Sequence, residues 1–472
     1  TIVATALPAI ARDLSGFDRI SWVVSGYLVA ATSTTPIYGK LSDLYGRRRV
    51  LQTAIVIFLV ASTLCGLARS MNQLIAFRVL QGLGGGGLIS LAHATIADIV
   101  SPRERGRYQG YISGVFAGSS VAGPVLGGFI SDQLSWHYVF WVNLPIGLVA
   151  LVICERTLKR LPRHNLHRRI DYLGALLLMA AISLTLLVTT LGGRQLAWTS
   201  PALIALAAAA AALTLLFILV EHRVPEPILP LRMFKHSVYT LASLMSLLTW
   251  MAMFGATVFL PLYLQLAKGS SASDSGLQLV PLTGGVVIGA FSSGRLVSKI
   301  GRLKPFPVVG MAVASAILAI LGLAAADLSA WTIAAMMVLL GIGIGFVGPT
   351  AIVAVQNAVD RRDLGAASAS VSFFRSLGGS FGVALLGAVL LRSLDRGIGR
   401  IPGHESLGAH PALRLLDGPG GALSGLPAGL HTALLAAVDG AFANVFLWAA
   451  GFAALSLLAA VALKELPLRS AR

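Results

Sequence analysis

Stretches of about 20 apolar residues, separated by short turns that hold most of the charge, leave this chain few ways to fold. Each stretch is long enough to cross a bilayer core as an α-helix. In hydrocarbon only a helix or a closed barrel satisfies its own backbone. Charged residues make up 12% of the 472, against about 25% in soluble domains, and mean hydropathy is +0.81. A large soluble core is excluded, and an all-α membrane protein is expected.

Placed by length and charged flanks, the first apolar run ends near Leu7. Others follow at about 20–39, 50–68, 73–99, 108–131, 136–155, 172–192, 200–221, 237–266, 275–298, 305–326, 330–358, 364–391 and 437–463. That gives fourteen spans. The chain opens at Thr1 without a Met, and Thr-Ile-Val-Ala-Thr-Ala-Leu-Pro reads as the second half of a helix whose start is expected upstream.

The net charge of +17 suggests nucleic acid only until its distribution is seen. Lys40, Arg47, Arg48 and Arg49 follow span 2, and alternate loops continue the pattern with Arg103, Arg105 and Arg107, then Arg156–Arg169, and later Arg295–Lys304. The opposite loops hold only Arg12, Arg19, Arg69, Arg194, Lys268, Arg392, Arg396, Arg400 and Arg414. This asymmetry follows the positive-inside rule, so both termini are expected in the cytoplasm of a bacterial-type inner membrane, and nucleic acid is rejected as a partner.

The turn after span 2, Gly39-Lys-Leu-Ser-Asp43-Leu-Tyr-Gly46-Arg47, has an echo after span 10, Gly294-Arg-Leu-Val-Ser298-Lys-Ile-Gly301-Arg302. Both follow the second span of a six-span block, which reads as a duplication. The expected division is an N-terminal six-helix bundle over 1–155, basic linkers and two inserted helices over 156–235, and a C-terminal six-helix bundle over 236–472 with a long external loop at 392–432. The inserted pair makes the total fourteen.

The first of these turns resembles the loop signature of the major facilitator superfamily. Phe77-Arg78-Val79-Leu80-Gln81-Gly82 resembles its span 4 motif. Gly110, Ser119, Gly123, Pro124, Gly127 and Gly128 resemble the span 5 signature of its antiporters, with Ser119 in place of a glycine. Trp136-His-Tyr-Val-Phe140-Trp-Val-Asn143-Leu-Pro145-Ile-Gly147 and Phe374-Arg375-Ser-Leu-Gly378-Gly379 look like further hallmarks of the fourteen-span drug:proton antiporter branch. The resemblance implies two six-helix bundles plus two inserted central helices, alternating access, and proton-coupled export of small amphipathic or toxic compounds. It also implies a proton-carrying Asp just before the Thr-Ile-Val run, which would precede Thr1. Ala4 stands where that family usually has Asn.

Arg78 is the sharpest residue read on its own chemistry. An unpaired charge inside an apolar span costs at least ~2.5 kcal/mol, so it must find an acceptor or water. Gln81, one turn away, can line the same cavity. Arg78 either takes part in proton coupling or snorkels to the near interface. Asp132 and Asp439, near span ends, are candidate proton-entry groups or ordinary helix-end acids, and every other acid also maps to a loop or span end. His93 carries an imidazole that can titrate or simply pack. Arg375 can pair with Asp98 or Asp363, bind anionic substrate groups, or snorkel. Gln265 and Gln356 add polar groups to the C-terminal half. The span 5 glycines permit close helix approach, and Pro124 can bend that helix.

For the duplicated turn, Asp43 is expected to meet a helix N-terminus and Arg47 to bridge it, with Gly39 and Gly46 allowing close approach. Ser298 in the second copy makes this latch one-sided. The chain lacks a Gly-x-x-x-x-Gly-Lys-Ser/Thr loop, a clustered catalytic set, and zinc spacing among its His residues or its two Cys, Cys65 and Cys154. The chain is therefore expected not to be an enzyme and to use no cofactor, with the proton gradient as energy source. Its partners are small-molecule substrates, protons and the lipid bilayer, and it is expected to work as a monomer. The alternatives are an uptake carrier or facilitator for a specific solute and, in another class, a non-transporting membrane enzyme or sensor.

Overall fold

The structure is a computed structural model and describes residues 2–16, 19–160, 171–193, 196–270, 276–402 and 428–465. Parts of the sequence reading lie outside the described residues: Arg163, Arg168 and Arg169 of the basic linker, Arg194, Asp18, Asp274, most of the long loop with Glu405, Arg414 and Asp417, and the terminal Arg469 and Arg472.

Helices follow one another along the chain: α1 (Ile2–Asp13), α2 (Ile20–Tyr45), α3 (Arg47–Cys65), α4 (Met71–Ile99), α5 (Pro102–Gln133), α6 (Tyr138–Trp141), α7 (Asn143–Thr157), α8 (Tyr172–Leu191) and α9 (Pro201–Glu221). After these come α10 (Ser237–Ala267), α11 (Leu279–Ile300), α12 (Pro305–Ala324), α13 (Ala330–Ala358), α14 (Leu364–Ile398) and α15 (Ala428–Ala462). Among the described residues, 11 helices are long and apolar enough to cross a membrane, α6 and α7 together forming one of them. The remaining three expected positions are filled by α1, which has 12 residues, and by α2 and α5, whose serines, threonines, glycines and charges make them more polar.

Several boundaries differ from the sequence reading, among them the start of α5 at Pro102 and the end of α14 at Ile398, inside the loop expected over 392–432. The basic turn after span 2 is not a loop, because α2 continues through Leu41, Ser42, Asp43 and Leu44 to Tyr45. Gly46 alone breaks it, at φ 88° and ψ 145°, a conformation that only glycine adopts freely, and α3 starts at Arg47. The second copy repeats the device: α11 ends at Ile300 and Gly301 caps it in the left-handed region. Finally, α15 begins at Ala428 rather than near 437, because Ala and Leu sustain a helix across His431 and Thr432. Asp439 is thus well inside a helix of 35 residues and not at its end.

The chain forms two compact units. The first comprises the described residues of Thr1–Ser243 together with Ile352–Ser376. In it the glycine run of α4 allows backbone contact. A Cβ at Gly82 would meet Tyr27 O, at Gly84 it would meet Phe58 N and Ala54 O, and at Gly86 it would meet Ala31 O. These glycines hold α4 between α2 and α3. Ile10, Cys65, Leu74, Trp136, Val139 and Phe140 form a buried cluster beside them.

The second unit comprises Leu244–Ala351 and Leu377–Glu465. Gly285 and Gly289 of α11 face Val338 O and Ile342 O of α13, while Gly341 and Gly345 of α13 face Leu282 O and Val286 O in return. Gly378 and Gly382 of α14 lie on Leu247 and Met251 of α10. Where lipid removes the hydrophobic drive between helices, such backbone approach supplies the packing. A buried aromatic group of Tyr263, Phe442 and Phe446 joins α10 to α15.

Candidate functional site: a buried clasp and a buried arginine

The Gly46 end of α2 carries a closed charge network. Asp43 Oδ1 and Oδ2 accept the main-chain N–H groups of Gly365 and Ala366, each at 2.9 Å. Those two donors sit in the first turn of α14, where unsatisfied N–H groups and the helix dipole favour an anion. Arg47 Nη2 lies 2.6 Å from Asp43 Oδ1, and Arg47 Nε donates to Asp98 Oδ2 at 2.7 Å. Arg47 also donates to Ser42 Oγ. The glycines make the approach possible, since a Cβ on Gly365 would collide with Arg47, Gly39 O and Asp43, and one on Gly39 would collide with Ala369 and Gly365 O. Lys40, also buried, reaches Glu226 at 2.8 Å, and Arg48 binds Glu155.

The second copy has no carboxylate at the matching position. Ser298 Oγ donates back to Gly294 O at 3.0 Å. There Glu465, beyond α15, takes the anionic role, accepting Leu303 N at 2.6 Å and Lys304 N at 3.2 Å at the start of α12.

Arg78 does not snorkel. It is 7% exposed, its Nε donates to Val23 O at 3.0 Å, its Nη1 donates to Gln81 Oε1 at 2.5 Å, and its guanidinium lies 4.1 Å from the centre of the Tyr27 ring. Among the described residues no carboxylate is in ion-pair range, so a carbonyl dipole, an amide and a π-face carry the charge. The network extends further: Gln81 Nε2 donates to Ser62 Oγ at 3.0 Å, Ser62 donates to Phe140 O at 2.8 Å, and Asn143 Nδ2 donates to Ser62 Oγ at 3.1 Å. The span 4 motif and the Trp136–Gly147 motif therefore meet through Ser62, a residue that no motif flags.

Other sequence candidates are dispersed. His93 is buried, its ring nitrogens lack a hydrogen-bond partner among the described residues, and its carbonyl accepts Gln356 Nε2 at 3.3 Å. Gln356 also donates to Ser368 Oγ at 2.9 Å. The two acids suggested for Arg375 are engaged elsewhere, Asp98 with Arg47 and Asp363 with Arg232 at 2.9 Å. Asp132 is exposed, and Gln265 is half-buried in the second unit. Gly110 and Gly123 are buried within α5, which runs unbroken through Pro124, whose side chain lies outside the described structure. Close packing is realised at Gly127, whose Cβ would meet Ile2 O and Thr5 of α1, whereas a Cβ at Gly114, Gly118 or Gly128 would meet nothing among the described residues.

A sequence profile described as the Major Facilitator Superfamily matches residues 1–383. An uncharacterized MFS-type transporter of Mycobacterium tuberculosis is 37% identical over 99% of this chain and 67% of its own length. This chain belongs to the major facilitator superfamily. Among other superfamily members, the multidrug transporter protein MdtP of Bacillus subtilis is 37% identical, over 83% of this chain and 72% of that protein. In fold, the chain is similar to the proton:xylose symporter XylE, with TM-score 0.58 and 14% identity over 98% of this chain and 92% of that one. A human organic anion transporter, covering 93% of this chain and 83% of its own, gives the same TM-score at 14% identity. As a superfamily member the chain is a multi-pass membrane transporter for small molecules and not an enzyme.

Proposed function

We propose that this transporter exports small amphipathic or toxic compounds in exchange for protons, by alternating access between two six-helix halves with the α8–α9 hairpin inserted. The observation that carries the reading is the 37% identity to the multidrug transporter protein MdtP of Bacillus subtilis across 83% of the chain. The Asp43–Arg47–Asp98 clasp on the first turn of α14, buried at Asp43 and Arg47, adds to it. Such a contact favours only the state in which it exists, and this is how a gate biases a two-state equilibrium. The positive-inside pattern supports a cytoplasmic position for the clasp and both termini in a bacterial-type inner membrane. Arg78 would tune proton exchange through Tyr27 and Gln81, working with a titratable group, and the carrier functions as a monomer without a cofactor.

The test is transport in sealed vesicles with a fluorescent lipophilic cation. Export should collapse when an uncoupler dissipates the proton gradient. Export that ignores the uncoupler would overturn proton coupling, and gradient-driven accumulation in the uptake direction would favour a symporter.

A further inference from the structure

Two carboxylates unused by the clasp or by Arg78 sit at the mouth of the α8–α9 hairpin. Asp171 caps α8, with its Oδ1 accepting Gly174 N at 2.7 Å. Glu221 ends α9, and its Oε1 accepts Leu229 N across the following turn. The remaining oxygens, Asp171 Oδ2 and Glu221 Oε2, are buried without a hydrogen-bond partner among the described residues. The side chains are 7% and 3% exposed. Both unpartnered oxygens lie over Gly174, where a Cβ would collide with Asp171 Oδ2 and lie 3.1 Å from Glu221 Oε2. A residue without a side chain at 174 is what lets the two carboxyl groups come together there.

Two desolvated carboxylates brought over one glycine disfavour each other's ionised form. Among the described residues, Lys40 is the cation whose charge bears on Glu221. Lys40 of α2 is committed to Glu226 at 2.8 Å, and Glu226 belongs to the turn that Glu221 closes. No group of three or more His, Cys, Asp or Glu side chains among the described residues is arranged to hold a metal.

We propose that Asp171 and Glu221 form a proton-binding site, one proton shared between Oδ2 and Oε2 as a hydrogen-bonded acid–carboxylate pair. The proton satisfies both orphaned oxygens at once and leaves a single negative charge. Its loss puts two charges over Gly174 and loosens the Glu221–Leu229 turn. That turn carries Glu226, and Glu226 holds Lys40 three residues before Asp43. Proton occupancy in the inserted hairpin is thereby tied to the helix end that bears the clasp. The site does not depend on what is transported or in which direction.

Infrared difference spectroscopy on the full chain in lipid nanodiscs tests this without any transport assay. A protonated-carboxyl C=O band that shifts in heavy water should persist at neutral pH. Both Glu221→Gln and Asp171→Asn should abolish it, since an amide donor lets the surviving acid ionise. Absence of the band in the wild type at neutral pH overturns the proposal whether or not the variants fold. A band untouched by both substitutions overturns it as well. A band displaced when choline chloride is replaced by sodium chloride identifies a metal-cation site and overturns the shared proton.

Discussion

The carboxylate of Asp43 accepts the main-chain N–H of Gly365 at 2.9 Å, although 322 residues separate them in the chain. Ala366 N completes a two-point grip on the first turn of α14, and Arg47 neutralises the carboxylate from the adjoining turn. A desolvated carboxylate is tolerated here because three donors and a helix dipole converge on it.

Asp43→Asn should therefore weaken the clasp. The amide brings its own N–H toward two N–H donors, and Arg47 keeps only Asp98 as an acid partner. A loss of about 1–2 kcal/mol from one state is expected, which slows substrate turnover roughly tenfold. Transport per inserted molecule, with insertion measured separately, checks this; unchanged turnover would reduce the segment to an orientation signal.

The two duplicated glycines should respond differently to substitution. Gly301 occupies the left-handed region that Asn tolerates, so Gly301→Asn should unfold within a few degrees of the wild type in detergent. Gly46 lies at φ 88° and ψ 145°, where Asn gains no relief, so Gly46→Asn should cost about 1–3 kcal/mol and a clearly lower thermal midpoint.

For Arg78, the geometry separates charge from shape. Lys keeps the charge but cannot stack flat on Tyr27 while donating to both Val23 O and Gln81. Arg78→Lys and Arg78→Ala should both abolish transport while the protein still inserts. Arg78→Ala should also cost stability, about 1–3 kcal/mol, by leaving part of the Gln81 and Ser62 network unsatisfied. Wild-type transport in either variant would remove Arg78 from the coupling machinery.

Along α5, a leucine at Gly127 would be driven into Ile2 and Thr5, and Gly127→Leu should fail to yield folded protein. Gly114→Ala and Gly118→Ala meet nothing among the described residues and should keep the wild-type thermal midpoint. If these two nonetheless depress transport, the glycines act in a state other than this one. Full activity would make them ordinary membrane-helix residues.

The order of the helices, their count to within short polar segments, and the duplication of the glycine-bracketed turn were legible in sequence, because hydropathy and chain breaks are local properties. The need of Asp43 for a helix N-terminus and of Arg78 for acceptors was also legible, since burying charge carries a fixed cost. Which helix Asp43 would grip, that Arg78 would rest on Tyr27 and Val23 O, and that Ser62 would join Gln81 to Asn143 were not. The facing oxygens of Asp171 and Glu221, 50 residues apart, were equally invisible, as was the depth of Asp439 in α15. The sequence by itself determined that this chain is a helical membrane transporter of the major facilitator type. Only the tertiary structure decided which buried polar groups satisfy one another, because in a dry helix bundle each partner is chosen by backbone approach at particular glycines and not by distance along the chain.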